Sequence, residues 1–207
     1  MEQKFDYFVV FAEMRTGSNF LEANINAFPG LTCHGEAFNP HFVGYPNRND
    51  ILGVDLEMRA ADPGRLVQEI VSKTEGLGGF RFFHDHDPRV LEFCLTDPRC
   101  AKVILTRNPV ESYVSWKIAQ ATGQWKLTDV RRRKDGRALF EAREFADHFS
   151  KTQSFQVMLQ HALQTTGQTA FYVHYDDLQD VDVMNGLAKW LGETHQLTEV
   201  DSKLKRQ

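Results

Sequence analysis

Two stretches of this chain hold side chains whose types and spacing suit chemistry on a charged ligand. The first, FVVFAEMRTGSNFLEANI, runs from Phe8 to Ile25 and reads as an apolar strand, a turn holding Gly17, and an amphipathic helix opening near Ser18. Such a turn aims backbone N–H groups and the positive end of a helix at any anion lying in it. Its polar members are Arg15, Thr16, Gly17, Ser18 and Asn19. The pattern is not the nucleoside-triphosphate loop GxxxxGK[ST], because Arg15 precedes Gly17 and no Lys follows the glycine, so ATP hydrolysis is disfavoured. On these residues alone a purely structural turn fits equally well. The second stretch, KVILTRNPVESYVSWKIA, sets Arg107 at the carboxyl end of a buried strand and Ser115 eight residues on, inside the next helix. A planar guanidinium fork and a hydroxyl donor at that edge of a sheet could face one phosphate.

The elements that must position these groups follow from periodicity. Apolar runs rich in Phe and β-branched residues recur at Phe5–Phe11, Phe80–Phe83, Val103–Thr106 and Ala170–Tyr175, with helical spacing between them, and a short strand is expected around Leu31–His34 after the first helix. That alternation predicts an α/β domain with a central parallel sheet and crossover helices. The first helix buries Phe20, Leu21, Ile25 and Phe28 and stops at Pro29-Gly30. Asp62-Pro63 opens a helix with Leu66, Val67, Ile70 and Val71 on one face, ended by Gly76. Asn108-Pro109, Pro88 and Asp182 mark three further starts, and a long mixed-charge helix is predicted from Arg137 to Thr166. Between Thr122 and Gly136 lies the loosest segment. Its run Arg131 to Lys134 reads as a solvated charge cluster or as a loop over a site.

Composition narrows the class. With 207 residues, 42% hydrophobic and 25% charged, the chain is long enough to bury a full core as one domain without disulfides or a metal staple. A net charge of -4 does not suggest a protein built to coat nucleic acid or anionic lipid, so any basic site is local. Cys33, Cys94 and Cys100 form no CxxC pair and read as buried, inert thiols in a reducing compartment. The apolar run Tyr7–Ala12 is far short of a membrane span and lacks a cleavage-site pattern, and the expected location is cytoplasmic. His84 and His86 alternate at a strand end and would share a face. Two ligands are too few for a metal centre, so none is expected.

At this point MRTGSNF resembles the 5'-phosphosulfate loop of the PAPS-dependent sulfotransferases in its RTGS form, that of the bacterial and carbohydrate-acting branch. RNPVESYVS resembles that family's 3'-phosphate element, an Arg followed eight residues later by a Ser. GFRFFHDH and VHYDDLQDVDVMNGLAKWLG are similar to two further family segments, so the resemblance runs from Phe5 to Gly192. It implies a three-layer, P-loop-like fold over residues 1–207. Arg15, Thr16, Gly17, Ser18 and Asn19 would wrap the 5'-phosphosulfate, with Arg107 and Ser115 on the 3'-phosphate. Met14, Arg15 and Asn19 depart from the commonest loop sequence, and Arg15 in place of Lys removes proton transfer from that position. The chain stops at KLKRQ, where relatives usually continue, which implies a short or truncated member.

The implied reaction moves a sulfuryl group from PAPS, without metal, to a hydroxyl of a carbohydrate, glycolipid or other small acceptor. Its acceptor needs a base. Glu36, in LTCHGEAFNP at the end of the second strand, resembles the acidic segment of the carbohydrate-acting branch and is the first candidate. His34 is its rival, and both are equally readable as structural partners of neighbouring groups. Arg81 stands where the family has Lys and could reach the acceptor or form a salt bridge. Asp176 and Asp177 read as structural, and Phe38, Phe42, Tyr45, Trp116 and Trp125 as an acceptor platform or simply core. Two other functions remain open: a nucleotide or nucleoside kinase of related fold, and a PAP-binding module without turnover. A homodimer is also left open.

Overall fold

The computed structural model describes residues 4–124 and 137–200. Five parallel strands form the centre in the order β2-β5-β1-β6-β7, with β1 Tyr7–Phe11, β2 Leu31–Cys33, β5 Leu77–Phe82, β6 Cys100–Thr106 and β7 Phe171–His174. β1 is central and buried throughout, and its side chains alternate between two cores as a strand covered on both faces requires. Tyr7, Val9 and Phe11 meet α3 (Pro63–Lys73), α4 (Pro88–Thr96) and α6 (Ala142–Thr166). Phe8 and Val10 meet α1 (Ser18–Ile25) and α7 (Val181–Trp190). The expected three-layer α/β architecture is therefore present. Crossovers leave β1 toward β2 on one side and reach β6 on the other, so the turn after β1 sits where strand order reverses, the place where such sheets bind ligands.

Helix starts follow the caps. Asp62, Asp87 and Asn108 each accept a hydrogen bond from a first-turn N–H ahead of a proline. α7 starts at Val181 because Asp180, not Asp182, is the cap. Two expectations shift. β5 begins three residues before the predicted Phe80, because Gly78 and Gly79 are strand positions where side chains do not fit. A Cβ on Gly79 would stand 2.4 Å from the ring and carbonyl of Phe8. α6 begins at Ala142 rather than Arg137, since the Tyr113 hydroxyl, on α5 (Pro109–Thr122), holds the peptide of Glu141 in extended backbone. A short hairpin, β3 Asp50–Ile51 with β4 Val54–Asp55, and α2 (Leu56–Ala61) were not signalled by periodicity. All three cysteines are buried and unpaired. Among the described residues no helix is long and apolar enough to cross a membrane. Trp125, the run Arg131–Lys134 and KLKRQ lie outside the described residues.

Candidate functional site

The turn after β1 is built from its backbone outward. Arg15 takes a left-handed conformation with φ 66°, uncommon for a residue with a side chain, and Gly17 follows at φ 91°. Gly17 is required on two counts. Its φ suits glycine, and a Cβ there would lie 2.7 Å from Tyr175 and Leu178 of the 3-10 helix Tyr175–Gln179. Thr16 closes the turn by donating from its hydroxyl to the carbonyl of Glu13 at 2.6 Å. Gly17 is the N-cap of α1 and no side chain caps that helix, so its first N–H groups, Ser18 and Asn19 included, are left to an external acceptor.

The second predicted stretch folds directly onto this turn. Arg107 donates to the carbonyl of Arg15 at 2.8 Å, and Arg15 Nε donates to the hydroxyl of Ser115 at 3.0 Å. Ser112 donates to the carbonyl of Met14 at 3.1 Å. The Arg107 guanidinium stacks on the Tyr175 ring at 3.8 Å, and its buried Nε makes no hydrogen bond, lying 3.5 Å from the Glu111 carboxylate. Burial, with Arg107 close by, pulls Arg15 below the usual arginine range. Two guanidiniums thus lie close together beside the uncapped start of α1, a local concentration of positive charge on a chain of net negative charge.

Beneath the turn lies a buried charged network that begins at Arg81. Lying between Phe80 and Phe82 on β5, Arg81 is 2% exposed. Its Nε is 2.5 Å from Glu22 of α1, and one terminal nitrogen reaches both the Ser18 hydroxyl at 3.1 Å and Glu36 at 3.3 Å. The Tyr45 hydroxyl donates to Glu22, and burial beside that carboxylate raises the phenol well above its usual value. Asn39 donates to the other Glu36 oxygen at 2.8 Å, with His86 Nε2 3.8 Å away. Glu36 is thus linked to the turn through Arg81 and Ser18. His34 is not: its Nε2 meets the Thr74 hydroxyl at 2.8 Å, and burial with Arg48 nearby lowers it.

Several expectations need correction. His84 and His86 do not share a face, since β5 ends at Phe82. His84 turns to Glu13 at 2.7 Å, while His86 is buried and, by burial and the nearby Arg81 and Arg59, pushed down to about 3. Phe38 is core, packed on Phe80 and Phe82, and Tyr45 serves Glu22, so neither belongs to a platform. Arg81 forms the salt bridge. No group of three or more metal-ligating side chains comes together among the described residues. Periodicity missed Glu13 and Glu22, and it put His86 on the wrong face. A charged residue inside a buried strand demands a partner, so Arg81 was the available signal for Glu22 and Glu36.

No protein-family model matches the chain. It is 24% identical over 177 residues to nodulation protein H of Rhizobium tropici, a match covering 83% of this chain and 68% of that protein. It is 30% identical over 121 residues to nodulation protein H of Rhizobium meliloti, covering 57% of this chain and 49% of that protein, about half its length. The fold superposes on the crystal structure of a sulfotransferase from Alicyclobacillus acidocaldarius with a TM-score of 0.60 at 16% identity, covering 97% of this chain and 85% of that one. By its sheet and by these likenesses, the chain shares the fold of a solved sulfotransferase and is similar in sequence to nodulation protein H.

Proposed function

We propose that the protein transfers a sulfuryl group from PAPS to a hydroxyl of a carbohydrate, glycolipid or other small acceptor. The turn Arg15–Asn19 would hold the 5'-phosphosulfate and Arg107 with Ser115 the 3'-phosphate. The acceptor oxygen forms a bond to sulfur as the bond from sulfur to the bridging phosphate oxygen breaks, PAP leaves, and the hydroxyl proton passes to Glu36. Charge grows on the departing phosphate, where helical N–H groups and a permanently charged Arg15 neutralise it without a metal. The carbohydrate preference rests on the resemblance of the Glu36 segment to the carbohydrate-acting branch.

What supports this reading above others is the joining of the two motif stretches, with Arg107 on the Arg15 carbonyl and Arg15 on the Ser115 hydroxyl. An anion read by both stretches carries two phosphates, which PAP has and AMP lacks. Thermal unfolding with PAP, 5'-AMP, and ATP plus Mg²⁺ tests this, since a ligand at about 100 times its Kd adds ~2.7 kcal/mol of stability. A PAP shift that AMP does not match is expected. A larger shift with ATP and Mg²⁺ would move the reading to a kinase. For the base, Glu36→Gln should keep the PAP shift and lower transfer at least roughly a hundredfold.

A further inference from the structure

Arg107 is bound up with its surroundings on one edge and poorly served on the other. Its side chain is 6% exposed, and among the described residues its one short hydrogen bond runs from a terminal nitrogen to the Arg15 carbonyl at 2.8 Å. The Tyr175 ring covers one face of the guanidinium at 3.8 Å. The remaining edge, made of Nε and the other terminal nitrogen, is turned to Glu111, and both nitrogens stand 3.5 Å from the same carboxylate oxygen, Oε2. Nε is buried there without a hydrogen bond. A carboxylate at that distance supplies opposite charge but not the short, aligned contact that a buried N–H normally has.

Glu111 lies in the first turn of α5 with its side chain 47% exposed, so it can turn out into water at little desolvation cost. The positive end of that helix favours a carboxylate in the first turn whether or not Arg107 is engaged. The edge of Arg107 that it faces is the planar, two-donor edge with which a guanidinium grips a phosphate. Ser115, the other group read as a 3'-phosphate contact, is engaged as well, since its hydroxyl accepts from Arg15 Nε at 3.0 Å. Groups of the protein therefore stand where a phosphate would be held. A carboxylate and a phosphate cannot share one guanidinium edge, because both are anions and need the same two N–H groups.

We propose that Glu111 is an internal stand-in for the 3'-phosphate, an autoinhibitory carboxylate that an anion binding at Arg107 must displace, and that it makes the site select ligands carrying two phosphates. This rests on the reading of Arg107 as the 3'-phosphate contact. A free anion gains at Arg107 only its advantage over Glu111. PAP is anchored by its other phosphate in the turn Arg15–Asn19, which presents the 3'-phosphate to Arg107 at a high effective concentration. A 5'-phosphate alone does not reach that edge, so 5'-AMP does not meet the competition.

Calorimetric titration of the full chain with PAP and with 5'-AMP tests this in the wild type, in Glu111→Gln, in Arg107→Ala and in the double variant. Glu111→Gln keeps the side-chain length and removes the charge. It should tighten PAP on the order of tenfold, which corresponds to about 1.4 kcal/mol, and leave AMP where it was. In the Arg107→Ala background the same substitution should change PAP affinity by less than about twofold, because the carboxylate acts through that guanidinium. PAP affinity unchanged or weakened by Glu111→Gln, AMP tightened as much as PAP, or a gain that survives in Arg107→Ala would each overturn the stand-in, the last by showing plain repulsion between Glu111 and anions. PAP binding no tighter than AMP in both the wild type and Glu111→Gln would instead overturn the two-phosphate reading beneath it.

Discussion

Arg107, just past the end of β6, and Arg81, within β5, show how two arginines on either side of β1 serve different ends. Arg107 reaches the Arg15 carbonyl and stacks on Tyr175, so its orientation is fixed before any anion arrives. Arg107→Ala should weaken PAP binding by about 1.5 to 3 kcal/mol, the size of a charge-assisted hydrogen bond, measured by calorimetric titration. Arg81 instead neutralises Glu22 and Glu36 in the interior. Arg81→Met should cost about 3 to 5 kcal/mol in denaturant unfolding by leaving two carboxylates without their cation. His86 adds a pH dependence. Held neutral in the native state with its value pushed to about 3, it takes up a proton near its ordinary value once unfolded. Its contribution is therefore complete above about pH 6.5 and lost as pH falls toward about 3. His86→Gln should flatten that acid limb, on the order of a few kcal/mol, in unfolding followed across pH. Residue types at the two motif stretches were legible in sequence. The partners Glu13 and Glu22 were not, because each meets its partner across dozens of intervening positions.

At the scale of elements, backbone geometry decides what side chains can do. The β1–β5 pair runs in register from Tyr7 beside Gly78 to Phe11 beside Phe82, and Gly79 admits the Phe8 ring. Gly79→Ala should destabilise the protein by about 1 to 3 kcal/mol, read from the midpoint of urea unfolding at unchanged slope, because the ring or the strand must move. The 3-10 helix after β7 presses Tyr175 and Leu178 against Gly17, making the last strand a support for the turn after the first. Capping signals at Asp62, Asn108 and the proline after each were readable because capping is local. The start of α6 was not, since the hydroxyl that ends its N-terminal side belongs to Tyr113 on another helix.

For the molecule as a whole, charge and topology act together. The net charge is -4, yet Arg15 and Arg107 lie together at the carboxyl edge of the sheet, so the proposed anion binding would rest on a local field. Raising ionic strength should weaken PAP binding while leaving the unfolding midpoint of the free protein nearly in place, because the core is apolar and the site is partly open. Both trends are read from one series of melts with and without PAP. By itself the sequence determined the alternation of strands and helices, the central parallel sheet and the two stretches that meet at the turn after β1. Each is written in local periodicity, capping and short spacing. Only the tertiary structure decided that Glu36 lies with Arg81 while His34 is spent on Thr74, that His84 and His86 part company, and that Glu13 faces His84. Those pairings depend on strand order and on where a strand ends. A one-dimensional pattern does not carry that information, because neighbours in the sheet are set by which cores the crossovers cover.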